Sequence, residues 1–272
     1  MTSPTTDNLP LVWTPAGIVS RSDFANELLD DSAMDGRALI ETTRTLSGRP
    51  WLWDRHIHRL QLSFQKRKEA ALSIALPSAS DVEVLVREIG AGDIVVRTNL
   101  SLDSSPKQGQ QMWMDARKLP AAQESIVLRT TEPQNLSSFR HADLKGFRRE
   151  FLKRQRIRAQ QSDADDALIL TSSGHVAEST WANVFLCIAG EWRTPALDGS
   201  LLPGTVRALI CERKLLASLR ECSVPVAELK DCSEAFVCNS VRGIVPVRQI
   251  DNHILPVGAE TLALRTRIFE LA

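Results

Sequence analysis

Strand-like and helix-like runs alternate on both sides of one polar, proline-bearing stretch, RKLPAAQES at 117 to 125. That interleaving restricts the chain to an α/β or α+β fold in two parts. On the N-terminal side, LVWTPAGIV reads as a strand broken by a Pro-Ala-Gly turn, and ALIETTRTLSGRPWLW as a hairpin turning at Ser47-Gly48-Arg49-Pro50. Asp54 is placed to cap a helix through HIHRLQLSFQKRKEAALSIAL, which Pro77 ends. Ser80 and Glu83 spell a capping box before VLVREIG, with Gly90 to stop that helix. IVVRTNLSL alternates like a strand, and QMWMD is suited to pair beside it.

Past the divide come the strand IVLRTT, a polar loop reaching HADLKGF, the basic helix RREFLKRQRIRAQQ and the strand ALILT. A hairpin around Ser173-Gly174 leads to NVFLCI. The helix TVRALICERKLLASL precedes three further strands, VPVAEL, AFVCNS and IVPVRQI. The expected domains are a smaller α/β domain over 1–118 and a larger C-terminal domain over 124–272. A length of 272 residues suits two such domains.

Composition excludes several functions. Lys+Arg and Asp+Glu both number 33, so the chain lacks the basic excess of a protein that binds phosphate backbones non-specifically. The basic residues of RREFLKRQRIRAQQ then read as a solvated helix face, and no nucleic-acid partner is expected. The 5 cysteines contain no C-x-x-C pair, which fits buried thiols in a reducing compartment. No apolar run approaches the length of a membrane helix, and the first residues have no export signal, so a soluble, cytoplasmic protein is expected. His56 and His58, two apart on a helix, point to different sides and make poor joint metal ligands.

Glu178 stands just before the apolar run Asn183-Val184-Phe185-Leu186-Cys187-Ile188. A carboxylate at a buried strand is unfavourable unless something cationic meets it. Gly204-Thr205 opens a helix, where free N–H groups welcome a phosphate, though such a start is also an ordinary cap. Asn239-Ser240, after AFVC, could hold an anion, and the fork of Arg59 suits phosphate oxygens.

The succession HIHRLQLS, HADLKG, HVAESTWANVF, TPALDGSLLPGTVR and VCNSVRGIVPV resembles the class IV aminotransferase family, the pyridoxal 5′-phosphate (PLP) enzymes of fold type IV. The motifs run in order from about residue 35 to 250. The resemblance implies a two-domain fold like that of D-amino-acid aminotransferase, with a barrel-like C-terminal domain, PLP in the cleft between domains, and a homodimer. It also implies roles. Lys145 matches the lysine that binds the cofactor covalently and shuttles protons, and Glu178 the carboxylate paired with the pyridine nitrogen. Arg59, Thr205 and Ser240 match residues on the cofactor phosphate, with backbone amides that include Val241. On this reading a cationic pyridinium is what makes Glu178 favourable.

Two activities are open within the resemblance, both on a small amino substrate. One is aminodeoxychorismate lyase, which gives 4-aminobenzoate for folate biosynthesis; the other is transamination of branched-chain or D-amino acids. CNSVRGIVPV is more similar to the lyase signature, and the absence of tyrosine removes residues that commonly shape aminotransferase pockets. The segment Asp35-Gly36-Arg37-Ala38-Leu39-Ile40-Glu41-Thr42 departs from the family's "(F/Y)GDGxFET". In the family that segment lines the substrate side, so Arg37 and Thr42 are candidate substrate contacts, Arg37 for a carboxylate or else as a surface arginine. Trp181 is bulky where relatives are small, and Gly146-Phe147-Arg148 replaces the usual asparagine neighbour.

Overall fold

The computed structural model describes residues 7–24, 35–70, 72, 74–103, 111–139 and 141–271. They form two compact units, one of Met1–Ala121 with Leu144–Phe147 and the other of Ala122–Asp143 with Arg148–Leu271. The segment that carries Lys145 thus packs with the first unit, although it follows the divide in sequence.

In the first unit, strands β1 (Asn8–Thr14), β2 (Gly17–Ser20), β3 (Ala38–Leu46), β4 (Arg49–Pro50), β5 (Ile94–Ser101) and β6 (Met112–Lys118) make one sheet in the order β2-β1-β6-β5-β3-β4. Every pairing is antiparallel, so of the two expected classes this unit is α+β. Helices α1 (Trp53–Lys68) and α2 (Ala79–Ile89) cover one face. Leu39, Leu100 and Met112 meet Leu60 and Phe64 of α1, while Val96, Met114 and Ala116 meet Val82, Leu85 and Val86 of α2. The alternate residues Val12, Ala38, Ile40 and Trp113 pack on the opposite face with Phe24.

Both expected helix starts shift. Leu52, in the left-handed region, occupies the N-cap of α1, and Asp54 lies in the first turn, where its charge favours the helix dipole. The helix ends with Glu69 at the C-cap, well before Pro77. The capping box of α2 is made by Ser78 and Asp81, not by Ser80 and Glu83. Gly90 closes α2 in the left-handed conformation, as expected.

The second unit holds β7 (Ile126–Thr130), α3 (Arg149–Gln160), β8 (Asp166–Leu170), β9 (Val176–Ser179), β10 (Asn183–Ile188), β11 (Glu191–Pro195), α4 (Thr205–Glu212), β12 (Arg220–Cys222), β13 (Cys232–Asn239), β14 (Gly243–Ile250), β15 (His253–Ile254) and α5 (Ala259–Arg267). Its nine-stranded sheet runs β12-β11-β10-β13-β14-β7-β8-β9, with β15 beside β14. The pairs β7–β8, β7–β14 and β11–β12 are parallel; α3 is the crossover of the first and α4 of the last. The expected strand VPVAEL is instead a 3-10 helix over Val226–Asp231, entered through Pro225. Phe151, Gln155 and Ala159 form the buried face of α3. Lys153, Arg154, Arg156 and Arg158 are exposed, as a solvated face requires. Among the described residues no helix is long and apolar enough to cross a membrane.

Candidate active site

Glu178 stands on β9, whose four residues are all buried. Its Oε1 accepts from Arg148 Nη2, and its Oε2 accepts from the Leu202 amide at 3.2 Å. The two side chains of the ion pair are only 2% and 6% exposed. The chain therefore supplies its own cation to Glu178. This corrects the expectation that only a cofactor ring could make the carboxylate tolerable there. Arg148 is the N-cap residue of α3, at φ 51°, and its Nη1 is buried without a hydrogen-bond partner. Such an orphaned donor is a point where a ligand acceptor would be favourable.

The Leu202 carbonyl accepts from Asn183 Nδ2 at 2.9 Å. Gly204 lies so close to Asn183 Oδ1 that a Cβ would collide with it, so any side chain there would force Asn183 to shift. Thr205, buried, then opens α4; Gly204 is its N-cap and no side chain caps the helix. An uncapped helix start offers N–H groups to an anion. Across the β10–β13 pairing, Asn183 is opposite Cys238, and the next residue, Asn239, ends β13. Asn239 Oδ1 accepts from the amides of Val241 and Arg242 at 2.9 and 2.8 Å, and its Nδ2 donates to the Trp181 carbonyl at 3.2 Å. The Val241 amide, expected among the phosphate donors, is thus engaged by Asn239. Ser240 lies at the same turn, partly buried. Glu178, Thr205 and Ser240 are gathered around the start of β10.

In the first unit, the Lys145 carbonyl accepts from the Ile40 amide at 3.0 Å and the Gly146 carbonyl from the Gly36 amide at 2.9 Å. Lys145 is thereby held against β3. Arg59 donates through Nε and Nη2 to Glu41 at 2.8 and 2.5 Å, a two-point clamp, and His56 Nδ1 lies 2.7 Å from Glu41 Oε2. His56 and Arg59 are three apart on α1, hence on one face. Burial alone would raise the Glu41 pKa, but the Arg59 charge and the His56 and Arg59 hydrogen bonds outweigh it and bring it to about 2. Burial lowers the pKa of His56 against the pull of Glu41, and the charges of Arg59 and Lys145 add to the lowering.

The candidate substrate contacts are placed differently from one another. Arg37 donates to Asp103 at 3.0 Å, both side chains well exposed. Thr42 lies opposite Arg97 in the β3–β5 register, and Arg97 and Asn99 donate to the buried Asp115 at 2.8 and 2.9 Å. Glu41 and Arg97 receive no role from the sequence, His56 is weighed there only as a metal ligand, and Arg148, expected on the solvated face of the basic helix, is instead buried against Glu178. An acid inside the strand ALIE, with an arginine and a histidine spaced for one helix face, was the available signal for Glu41 and His56.

Residues 38–250 match the family described as amino-transferase class IV. The chain belongs to that class IV aminotransferase family. Its members use pyridoxal 5′-phosphate. Among curated relatives, the aminodeoxychorismate lyase of Bacillus subtilis is 25% identical over 94% of this chain and 92% of its own. A probable branched-chain-amino-acid aminotransferase of Thermotoga maritima is 26% identical over 79% of this chain and 78% of its own. Among solved structures, the branched-chain amino acid aminotransferase of Escherichia coli superposes with TM-score 0.79 at 18% identity, covering 97% of this chain and 94% of its own. The branched-chain amino acid aminotransferase of Thermobaculum terrenum in its PLP form gives 0.78 at 21% identity, covering 97% and 94%. The fold is that of fold type IV transaminases, and the chain is a PLP-dependent class IV enzyme.

Proposed function

We propose that this class IV enzyme is a lyase converting 4-amino-4-deoxychorismate to 4-aminobenzoate and pyruvate, a step of folate biosynthesis. The observation that carries the cofactor assignment is Glu178, a buried carboxylate kept in place by Arg148 and the Leu202 amide. The donors around it suit PLP: an uncapped helix start with a hydroxyl at Thr205, a second hydroxyl at Ser240, and the orphaned Arg148 Nη1. When bound, PLP supplies an electron sink for the pair left when a bond to the α-carbon breaks.

The chain's own residues do the rest. Lys145 would tether the cofactor, take the α-proton of the substrate and return a proton to the departing enolpyruvyl group, which would leave as pyruvate. Glu178 would accept from the protonated ring nitrogen, and Arg148 holds that carboxylate in place. Thr205, Ser240 and the first amides of α4 would hold the phosphate, with Arg59, braced by Glu41, as a further cation for it. The same reading makes the working form a homodimer.

Two observations favour the lyase. One is the CNSVRGIVPV signature; the other is that the Bacillus subtilis lyase matches nearly end to end. The second reading, transamination of branched-chain or D-amino acids, is supported by the aminotransferases among the relatives, which include a D-alanine aminotransferase of Listeria monocytogenes 23% identical over 86% of this chain. One pair of assays separates them. Pyruvate released from aminodeoxychorismate with no keto-acid acceptor is expected; a lasting conversion of the cofactor to its amine form by an amino donor alone would instead establish transamination. Borohydride should fix the yellow colour onto Lys145, and a protein that stays colourless with added PLP would end both readings.

A further inference from the structure

Arg148 has one more donor than its place in the fold requires. Its Nη2 donates to Glu178 Oε1, and its side chain is 2% exposed. Its Nη1, on the same guanidinium, is shut away from water and meets no acceptor among the described residues. A buried charged donor in this state is unfavourable, because it has given up hydrogen bonds to water and gained none in return. The residue is also held at φ 51°, at the N-cap of α3, where no side chain caps the helix. A residue with a side chain stays in that backbone region when its surroundings fix it there, and such positions cluster at ligand clamps.

Covalent structure limits what the spare donor can meet. Nη1 and Nη2 share one carbon, so the missing acceptor lies beside the Glu178 carboxylate. That carboxylate is fixed from a second side, since its Oε2 accepts from the Leu202 amide at 3.2 Å. A ligand that fits both groups presents a hydrogen-bond donor to Glu178. On the same rigid frame it presents an acceptor, best an anionic one, to the guanidinium. PLP has both, in its protonated ring nitrogen and in the oxygen on ring carbon 3, two ring positions from that nitrogen. The cofactor reading above gives the phosphate to Thr205 and Ser240, the aldehyde to Lys145 and the ring nitrogen to Glu178. One polar atom of the cofactor and one buried donor of the chain are then left over, each next to a group already paired.

Resting on that cofactor reading, we infer that Arg148 is itself a cofactor-binding residue: Nη2 fixes Glu178 for the ring nitrogen, and Nη1 donates to the ionised 3-oxygen of PLP. The ring is then held along one edge at two points, which sets its rotation within its own plane. The phosphate, joined to the ring through rotatable bonds, does not set that rotation alone.

The test uses two ligands that cannot react with a lysine, pyridoxine 5′-phosphate and its 3-deoxy analogue, titrated calorimetrically into the full chain freed of cofactor. Both carry the ring nitrogen and the phosphate, and only the first carries the 3-oxygen. The wild type should prefer the first by about tenfold or more, the size of a charge-assisted hydrogen bond. In Arg148→Met the preference should disappear. Displacement of Glu178 in that variant weakens both ligands alike, so the ratio of affinities, not either affinity, reads the Nη1 contact. Arg148→Lys keeps a cation for Glu178 and with it the fold, checked by the urea midpoint. Its ammonium lacks the planar fork that serves two acceptors at once, so the preference should fall there too. Uptake of PLP, read from the visible absorbance, tests the cofactor reading separately. A wild type that takes up PLP but binds the two ligands equally or not at all overturns the inference and leaves the cofactor reading standing. A full preference kept in every folded Arg148 variant does the same. A wild type that takes up no PLP defeats both.

Discussion

Arg148 and Glu178, 30 residues apart in sequence, form an ion pair almost wholly removed from water. Breaking such a pair by removing one partner leaves an uncompensated charge, which costs about 3–5 kcal/mol, more than the pair itself contributes. Arg148→Met is therefore expected to lower stability by roughly that amount, read from the urea midpoint. Arg148→Met with Glu178→Met should recover most of the loss, because both charges are gone. The single variant should also bind PLP more weakly, since the bond that holds the Glu178 carboxylate in place is gone. Equal stability of the single and double variants would contradict this account.

Glu41 makes stability depend on acid pH. Its folded-state pKa, about 2, lies below the ordinary 4.5, so folding favours the ionised form. The stabilisation is complete above about 4.5 and is lost as the pH falls toward about 2. His56 acts in the same direction at higher pH: its pKa is lowered from 6.5, so neutral His56 favours folding above that value, and the benefit declines below it. The Glu41 shift corresponds to about 3 kcal/mol. Glu41→Gln should flatten the fall of melting temperature between roughly pH 5 and 2, where position 41 of the wild type takes up a proton when unfolded and resists it when folded. Parallel curves for the two proteins would rule out this role for Glu41.

What the sequence disclosed was whatever depends on local pattern. The strand β5 and the turn of β3 into β4 follow from alternation and from Ser47-Gly48, and the start of α4 from Gly204-Thr205. The family was legible because its motifs keep their order along the chain. Partners were not legible, because an ion pair across 30 residues depends on which strands become neighbours and in what register. The Glu178 carboxylate, expected to meet a cofactor cation, pairs with Arg148, and Arg37, open as a substrate contact or a surface arginine, is well exposed and pairs with Asp103, 66 positions away. Short signals also misled where two spellings competed. Ser80 and Glu83 have capping-box spacing, yet Ser78 follows Pro77 directly, and its hydroxyl and amide both reach Asp81. In VPVAEL the alternation suggested a strand, while Pro225 removed a ladder donor and a 3-10 helix formed.

Gly146 shows what holds the Lys145 segment in place. It adopts φ +116°, which L side chains rarely do, and a Cβ there would fall on the Ala38 carbonyl oxygen, a backbone atom of β3 that cannot move aside. The bonds from the Gly36 and Ile40 amides to the carbonyls of 146 and 145 depend on that close approach. Gly146→Ala should therefore destabilise the protein by about 2–3 kcal/mol. Gly90 is a fitting control, since it too has positive φ, +67°, but a Cβ there meets nothing within 4 Å. Gly90→Ala should cost only about 1 kcal/mol, the conformational penalty alone. Hydrogen exchange at the Ile40 amide distinguishes the mechanisms: it should accelerate in Gly146→Ala, where the Lys145 carbonyl is pushed from its donor, and stay slow in Gly90→Ala. Protection of Ile40 that survives in Gly146→Ala would mean that β3 holds this segment by some other contact.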